Sequence, residues 1–140
     1  MITRCLSPEI VNAVVNHADV RPFVGPGGVL DMTQAVEADE NWFLMGEHGG
    51  FALIWSAPHV YEVHTFIKAT GRGQWAKDAA AQGIDYARCN GARLLWTKIA
   101  PAMTNVAAFA ESMGMRSAGI TVQTFGEPYA VYKMEIGQCQ

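Results

Sequence analysis

The sequence has little charge: 16% of its 140 residues are Asp, Glu, Lys or Arg, and the formal sum is −3. The Lys and Arg residues are scattered, so no basic stripe exists to neutralise phosphates, which argues against a nucleic-acid partner. Cysteine is sparse too. Cys5, Cys89 and Cys139 lie far apart and form no Cys-x-x-Cys pair, a pattern that argues against a disulfide framework or a zinc site and predicts three reduced, partly buried thiols and no metal. The longest apolar stretch, around Phe51–Trp55, is far short of a membrane span, and Met1–Ile10 lacks the apolar core of a signal peptide. These absences predict a soluble, cytoplasmic protein with no membrane partner.

What the sequence does have is hydrophobic mass. Half of the residues are apolar, enough at this length for one domain over residues 1–140 with its own core. Ser7-Pro8-Glu9 is a helix start, followed by Ile10, Ala13, Val14 and His17 at helical spacing. A connector rich in Pro and Gly covers Arg21–Gly28, and a short second helix is expected across Asp31–Ala38. Asn41–Met45 and Gly50–Ser56 read as a hairpin covered on both faces. Val60–Ile67 alternates Val63, Thr65 and Ile67 against Glu62, His64 and Phe66, as a strand does. A helix then carries Trp75, Ala76, Ala79, Ala80, Gly83, Ile84 and Ala87 on one face, to a stop at Asn90-Gly91. Arg93–Ile99 reads as a buried strand. A helix from Thr104 or Asn105 follows, with the stripe Val106, Phe109, Ala110 and Met113, and two strands near Gly119–Phe125 and Tyr129–Ile136 complete the order α, α, β, β, β, α, β, α, β, β.

The informative segment is the strand, glycine loop and helix of Val60–Arg88. A helix N-terminus offers unpaired N–H groups and the positive end of the helix dipole, which suits a phosphate. Glycines at 71 and 73 let a pyrophosphate approach the backbone, and Lys68 or Arg72 can add a charged contact. The loop lacks the full pattern of a nucleotide P-loop or a dinucleotide fold. On the local residues alone it reads equally as a phosphate cradle or as a tight strand-to-helix turn.

Lys68-x-x-Gly71-x-Gly73 resembles the Gln/Arg-x-x-Gly-x-Gly/Ala signature of the GNAT N-acetyltransferases, and it stands between the same elements. Asn105-Val-Ala-Ala-Phe-Ala-Glu-Ser-Met-Gly-Met115 resembles the second motif of that family, a helix of the form Asn-x-x-Ala…Glu-x-x-Gly-Phe. Together with the flanking elements the resemblance covers nearly the whole chain. It implies a single-domain α/β acyl-CoA N-acyltransferase fold, a mixed and mostly antiparallel sheet flanked by helices. It implies acetyl-CoA as co-substrate, with the backbone of Thr70, Gly71, Arg72, Gly73 and Gln74 around the pyrophosphate and Lys68 beside it. Phe66 and Ile67 would pair with the pantetheine arm, and Asn105 would stand near that arm or the sulfur. The acceptor would be a small-molecule or protein amine, and a homodimer is compatible with such a domain. Val20–Gly25 and Tyr61–Thr65 also resemble small proteins of this type from bacteriophages, which would work in the host cytoplasm. There are two departures. Lys68 replaces Gln or Arg, and the tyrosine that often protonates the leaving thiolate falls at Ala110.

Acetyl transfer to an amine needs a group that takes up a proton. Glu62 and His64 are two apart on one strand and so share a face, where a carboxylate can orient an imidazole. They read as the catalytic pair or as a partly solvated strand face. His17, Asp19 and Arg21 follow the first helix, where the resembled family walls its acceptor site, and read as a solvated helix end ahead of substrate recognition, while His48 and His59 read as surface residues. Tyr129 or Tyr132 can stand in for the absent acid or simply pack. Three functions stay open: an N-acetyltransferase, an inactive GNAT-fold binding or virion-associated protein, and a plain structural domain.

Overall fold

In the computed structural model, which describes residues 1–139, Ser7 has extended backbone and its side chain accepts the Ile10 N–H at 3.3 Å. Pro8 then begins α1 (Pro8–Val15). The buried stripe is Val11, Val14 and Val15, at i, i+3 and i+4. Ile10, Ala13 and His17, expected on that stripe with Val14, point to solvent instead. Beyond the helix, Asn12 and Asn16 tie down the returning chain. Asn12 Oδ1 accepts the Met32 N–H at 2.7 Å and Asn16 Oδ1 that of Leu30 at 2.8 Å. The expected second helix is α2, shortened to Thr33–Glu37.

The strands are β1 (Ile2–Arg4), β2 (Trp42–Gly46), β3 (Gly49–Ala57), β4 (Val60–Ile67), β5 (Leu94–Ile99), β6 (Arg116–Thr124) and β7 (Glu127–Glu135). They form one sheet in the order β1-β2-β3-β4-β5-β7-β6, antiparallel throughout except for the parallel pair β4–β5. This is the mixed, mostly antiparallel sheet expected. β1 is the element the sequence reading missed: at three residues it shows no alternation, and pairing with β2 defines it.

Helix α3 (Gln74–Cys89) lays Ala76, Ala79, Ala80, Gly83 and Ala87 on the face of the sheet that holds Leu44, Phe51 and Leu95. On the opposite face α1 and α2 bury Phe43, Met45, Ala52 and Phe66. Cover on both sides explains the unbroken hydrophobicity of β2 and early β3. Helix α4 (Thr104–Ser112) buries only Ala110 of its expected stripe, while Phe109 and Met113 are half-buried and Val106 is exposed. The helix stands off the sheet above a cavity. β6, the outer edge, is exposed on both faces.

The cysteines need a correction. Cys89, at the end of α3, and Cys139 form a disulfide across 50 residues of sequence, and only Cys5 is free. Their spacing carried no sign of this, because the two meet only once β7 has returned the chain to the foot of α3.

Candidate functional site

β4 and β5 pair only at Val60–Leu94, Tyr61–Leu95 and Glu62–Trp96. One step further the Thr97 hydroxyl donates to the Val63 carbonyl at 2.9 Å. Beyond it the described strands share no ladder and diverge. The Val63 carbonyl therefore faces β5, and strand alternation turns the N–H and C=O groups of Thr65 and Ile67 the same way. These edges border a gap that can accept an amide-bearing chain as an added strand. Ile67 thus reaches the gap through its backbone. Phe66 turns its backbone toward β3 and buries its ring against α1. Under the gap lies an apolar cavity of about 80 Å³, lined among others by Val63, Thr65, Thr97, Phe109, Ala110 and Met113.

At the mouth of the gap the loop Lys68–Gly73 makes a 3₁₀ turn over Ala69–Gly71 and then enters α3. No side chain caps that helix. Among the described residues the N–H groups of Gly73, Gln74, Trp75 and Ala76 have no partner in the chain, so a positive helix end is left open. The two glycines answer to different constraints. Gly73 has φ +102°, a conformation L side chains rarely adopt, with no atom within 4 Å of a Cβ placed there. Gly71 has no positive φ, but a Cβ there would overlap the Cβ of His48.

His48 proves to be part of this loop and not a surface residue. A hydrogen bond of 2.8 Å joins its Nδ1 to Thr70 Oγ1, its ring meets Trp75 edge-on, and its carbonyl accepts the Lys68 N–H at 2.9 Å. Asp19 is likewise no solvated helix end. Its carboxylate accepts the Ala69 N–H at 2.9 Å, and its carbonyl accepts Arg72 Nη2 at 2.9 Å. Arg72 also lies over the Phe23 ring, 5.6 Å from its centroid, and so its guanidinium is held toward Asp19. Lys68 has no ion-pair partner among the described residues and remains the available cation of the signature. Gln74 Nε2 donates to Asp78 Oδ1 at 2.8 Å, which leaves its backbone N–H for a ligand. Asn105 is exposed in the first turn of α4, with no hydrogen bond to the loop.

Glu62 and His64 occupy the face opposite α3 and α4, as their alternation with Tyr61, Val63 and Ile67 requires. Glu62 Oε1 lies 3.4 Å from His64 Nε2, while its Oε2 is buried without a partner. Burial alone would raise the Glu62 carboxyl. The hydrogen bond and charge of His64, with the more distant charge of Lys98, outweigh it and hold the group below the usual glutamate range. His64 is more exposed than Glu62, 39% against 16%, so the imidazole meets an incoming molecule first. The pair can take a proton at His64 and balance the resulting charge at Glu62.

A roof crosses this face. Arg21 donates through Nε to Gly28 O, through Nη1 to Gly25 O and through Nη2 to Pro26 O, which rounds Arg21–Gly28 into a fixed loop. Gly25 packs against the Phe125 ring at the β6–β7 turn. Phe125 in turn meets Tyr129 edge-on. Tyr129 sits on the Glu62 face by register, whereas Tyr132, the partner of Thr97, packs with the α3-side core. His59 stays exposed, as expected. Asp19, His48, Thr97 and Lys98 were missed as site residues, because each reaches the site only through folding.

No protein-family model matches the sequence, and no curated protein matches it either. Solved structures do match. The spermidine N-acetyltransferase of Vibrio cholerae, in complex with CoA and spermine, superposes with a TM-score of 0.73 at 11% identity, over 96% of this chain and 94% of that one. The IAA acetyltransferase of Bacillus cereus gives 0.69 at 14%, over 97% and 99%. A ribosomal-protein-alanine N-acetyltransferase of Brucella melitensis gives 0.66 at 17%, over 97% and 99%. Such a likeness over nearly the whole of each chain is a likeness of fold: this chain has the fold of the GNAT acetyltransferases.

Proposed function

We propose that this protein binds acetyl-CoA in the β4–β5 gap and transfers the acetyl group to an amine. The observation that carries the reading is the coincidence of three features at one end of the sheet: diverging parallel strands, an uncapped α3 N-terminus, and a Gly73 that leaves the space beside that helix end open. A plain turn needs none of the open amides. When bound, acetyl-CoA supplies the activated acyl carbon. The amides of Gly73–Ala76, with Lys68, would hold its pyrophosphate, and the edges of Thr65 and Ile67 would hold its amide-bearing arm. Asn105 belongs to the same proposal from the α4 side of the gap. His64, oriented by Glu62, would take the proton of the amine as it attacks. A solved neighbour with CoA and spermine bound, and another with acetyl-CoA, favour this chemistry.

One observation favours a second reading. Ala110, where the family often has its proton-donating tyrosine, is buried and lines the cavity, so no acid arises from α4 there. Tyr132 is the nearer substitute of the two candidate tyrosines, since its register partner Thr97 borders the gap. A chain without such an acid would serve as an inactive binding or virion-associated protein. The phage-like origin, the cytoplasmic location and a homodimer are further parts of the proposal. No described helix is long and apolar enough to cross a membrane, and no described cluster of His, Cys, Asp and Glu could hold a metal ion. Thermal melting with acetyl-CoA tests the reading. At about 100 times its Kd the ligand should add roughly 2.7 kcal/mol of stability. No shift at millimolar acetyl-CoA would remove both the cofactor assignment and the enzyme reading.

A further inference from the structure

The sheet face that carries Glu62 and His64 continues onto β5 and β7, where neither α1 nor α2 covers it. Register places Glu62, Trp96 and Lys133 in one row across β4, β5 and β7. Lys98 and Val131 form the next row of β5 and β7, toward the open end of the gap, just as His64 is the next residue of β4 on this face beyond Glu62. The Trp96 indole donates to Ser56 on β3 at 2.9 Å, so it lies across β4 and closes the row of Glu62 from below. Lys98 is half-buried, and neither it nor Lys133 has an ion-pair partner among the described residues. Of the carboxylates on this face, Glu62 is engaged with His64 and feels the charge of Lys98 without ion-pair contact, Glu135 stands at the foot of β7 opposite Leu94, and Glu127 is at the β6–β7 turn. An incoming molecule thus meets a proton acceptor on the β4 side of the gap and an unpaired ammonium on the β5 side.

From this arrangement we infer that the acceptor is an amine that also carries an anionic group, a carboxylate or a phosphate, a few bonds from its nitrogen, and that Lys98 binds that group. The inference rests on the acetyl-transfer reading and narrows it. A polyamine would bring several ammonium groups to a face whose free charges are positive, with its one nearby carboxylate already engaged. An anionic amine would place its nitrogen at His64 and its anion at Lys98, in a charge-assisted hydrogen bond. Lys133, one row lower, would extend the positive field to longer acceptors.

The test compares acetyl transfer to an α-amino acid, an aminoalkyl phosphate, the corresponding amino-acid amide and spermidine. The two anionic amines should have the higher kcat/KM. Lys98→Ala should raise their KM roughly 10- to 100-fold, the range of one hydrogen bond to a charged group, with the loss in KM more than in kcat. Lys98→Glu should turn the preference toward spermidine. A wild type that prefers the amide or spermidine overturns the inference, as does a Lys98→Ala variant that weakens all four acceptors alike. A second measurement does not need turnover. With CoA present, calorimetry should show an N-acetyl amino acid binding to the wild type and not to Lys98→Glu; no binding to the wild type also overturns the inference. If that ligand binds but no amine is acetylated, the transfer reading fails and the anion site stands.

Discussion

Replacing Gly71 with alanine tests whether the loop at the mouth of the gap is built around the β2–β3 turn. The added methyl would overlap His48 Cβ and come within 3.0 Å of His48 Cγ and Trp75 Cε3. None of these is the far end of a flexible chain. Relief requires the turn that carries His48 to move, which breaks the Lys68-to-His48 hydrogen bond and the Thr70 contact. Overpacking of this kind costs about 1–3 kcal/mol, or a drop of roughly 4–12 °C at about 4 °C per kcal/mol for a domain of this size. Acetyl-CoA should lose most of its stabilising effect, because the loop can no longer hold its amides in place. His48→Gly removes the obstructing Cβ, so Gly71→Ala should be less harmful in that background, with a coupling of about 0.5–3 kcal/mol. Gly73→Ala is the contrast. It meets no atom, so its strain of about 1–3 kcal/mol from a backbone conformation nearly restricted to glycine should be the same with or without His48. The assay is melting of the two double-mutant cycles, each pairing one glycine with His48, with and without acetyl-CoA. Strict additivity of Gly71→Ala and His48→Gly would refute the argument.

Three further outcomes follow from the site and the disulfide. Glu62→Gln and His64→Ala should each lower turnover about 10²–10⁴-fold, and the loss should shrink as pH rises and free amine becomes abundant; unchanged turnover across the pH range would assign the proton to another group. The folded-state carboxyl of Glu62 is lowered, so its stabilisation is present above the unfolded glutamate range and fades as pH falls through the folded value; Glu62→Gln should flatten that acid limb in urea titrations. Reduction of Cys89–Cys139, or Cys139→Ser, should lower stability by up to about 4 kcal/mol in the chain-entropy account of a 50-residue loop, and an unchanged melting point would refute that account.

The main elements were legible because each had a local cause. Ser7-Pro8 begins α1, Gly73 and Asn90 bound α3, and alternation marks β4. β1 was illegible because three residues carry no period, and its pairing with β2 is a contact across about 40 residues. The same limit applied to the site. Lys68–Gln74 and the Glu62–His64 pair are near neighbours in sequence, so pattern alone could raise them. Asp19 acts on Ala69 and His48 on Thr70 across long stretches of chain, and no spacing rule links them. Lys98 shared its strand with an apolar run, and only the registers with β4 and β7 show that it stands on the sheet face of His64, across the gap from it.

The disulfide between Cys89 and Cys139 also decides how the protein would respond to mechanical load. In an oxidised molecule, tension applied at the C-terminal tail passes through the sulfur bridge directly to the end of α3. The 50 residues between, with β5, α4, β6 and β7, hang slack from the line of force. In a reduced molecule the same pull acts on β7 first, a strand held between β5 and β6. A processive unfolding machine that grips this end would therefore peel the sheet open strand by strand under reducing conditions. Under oxidising ones it would have to unwind α3 before it reached the sheet.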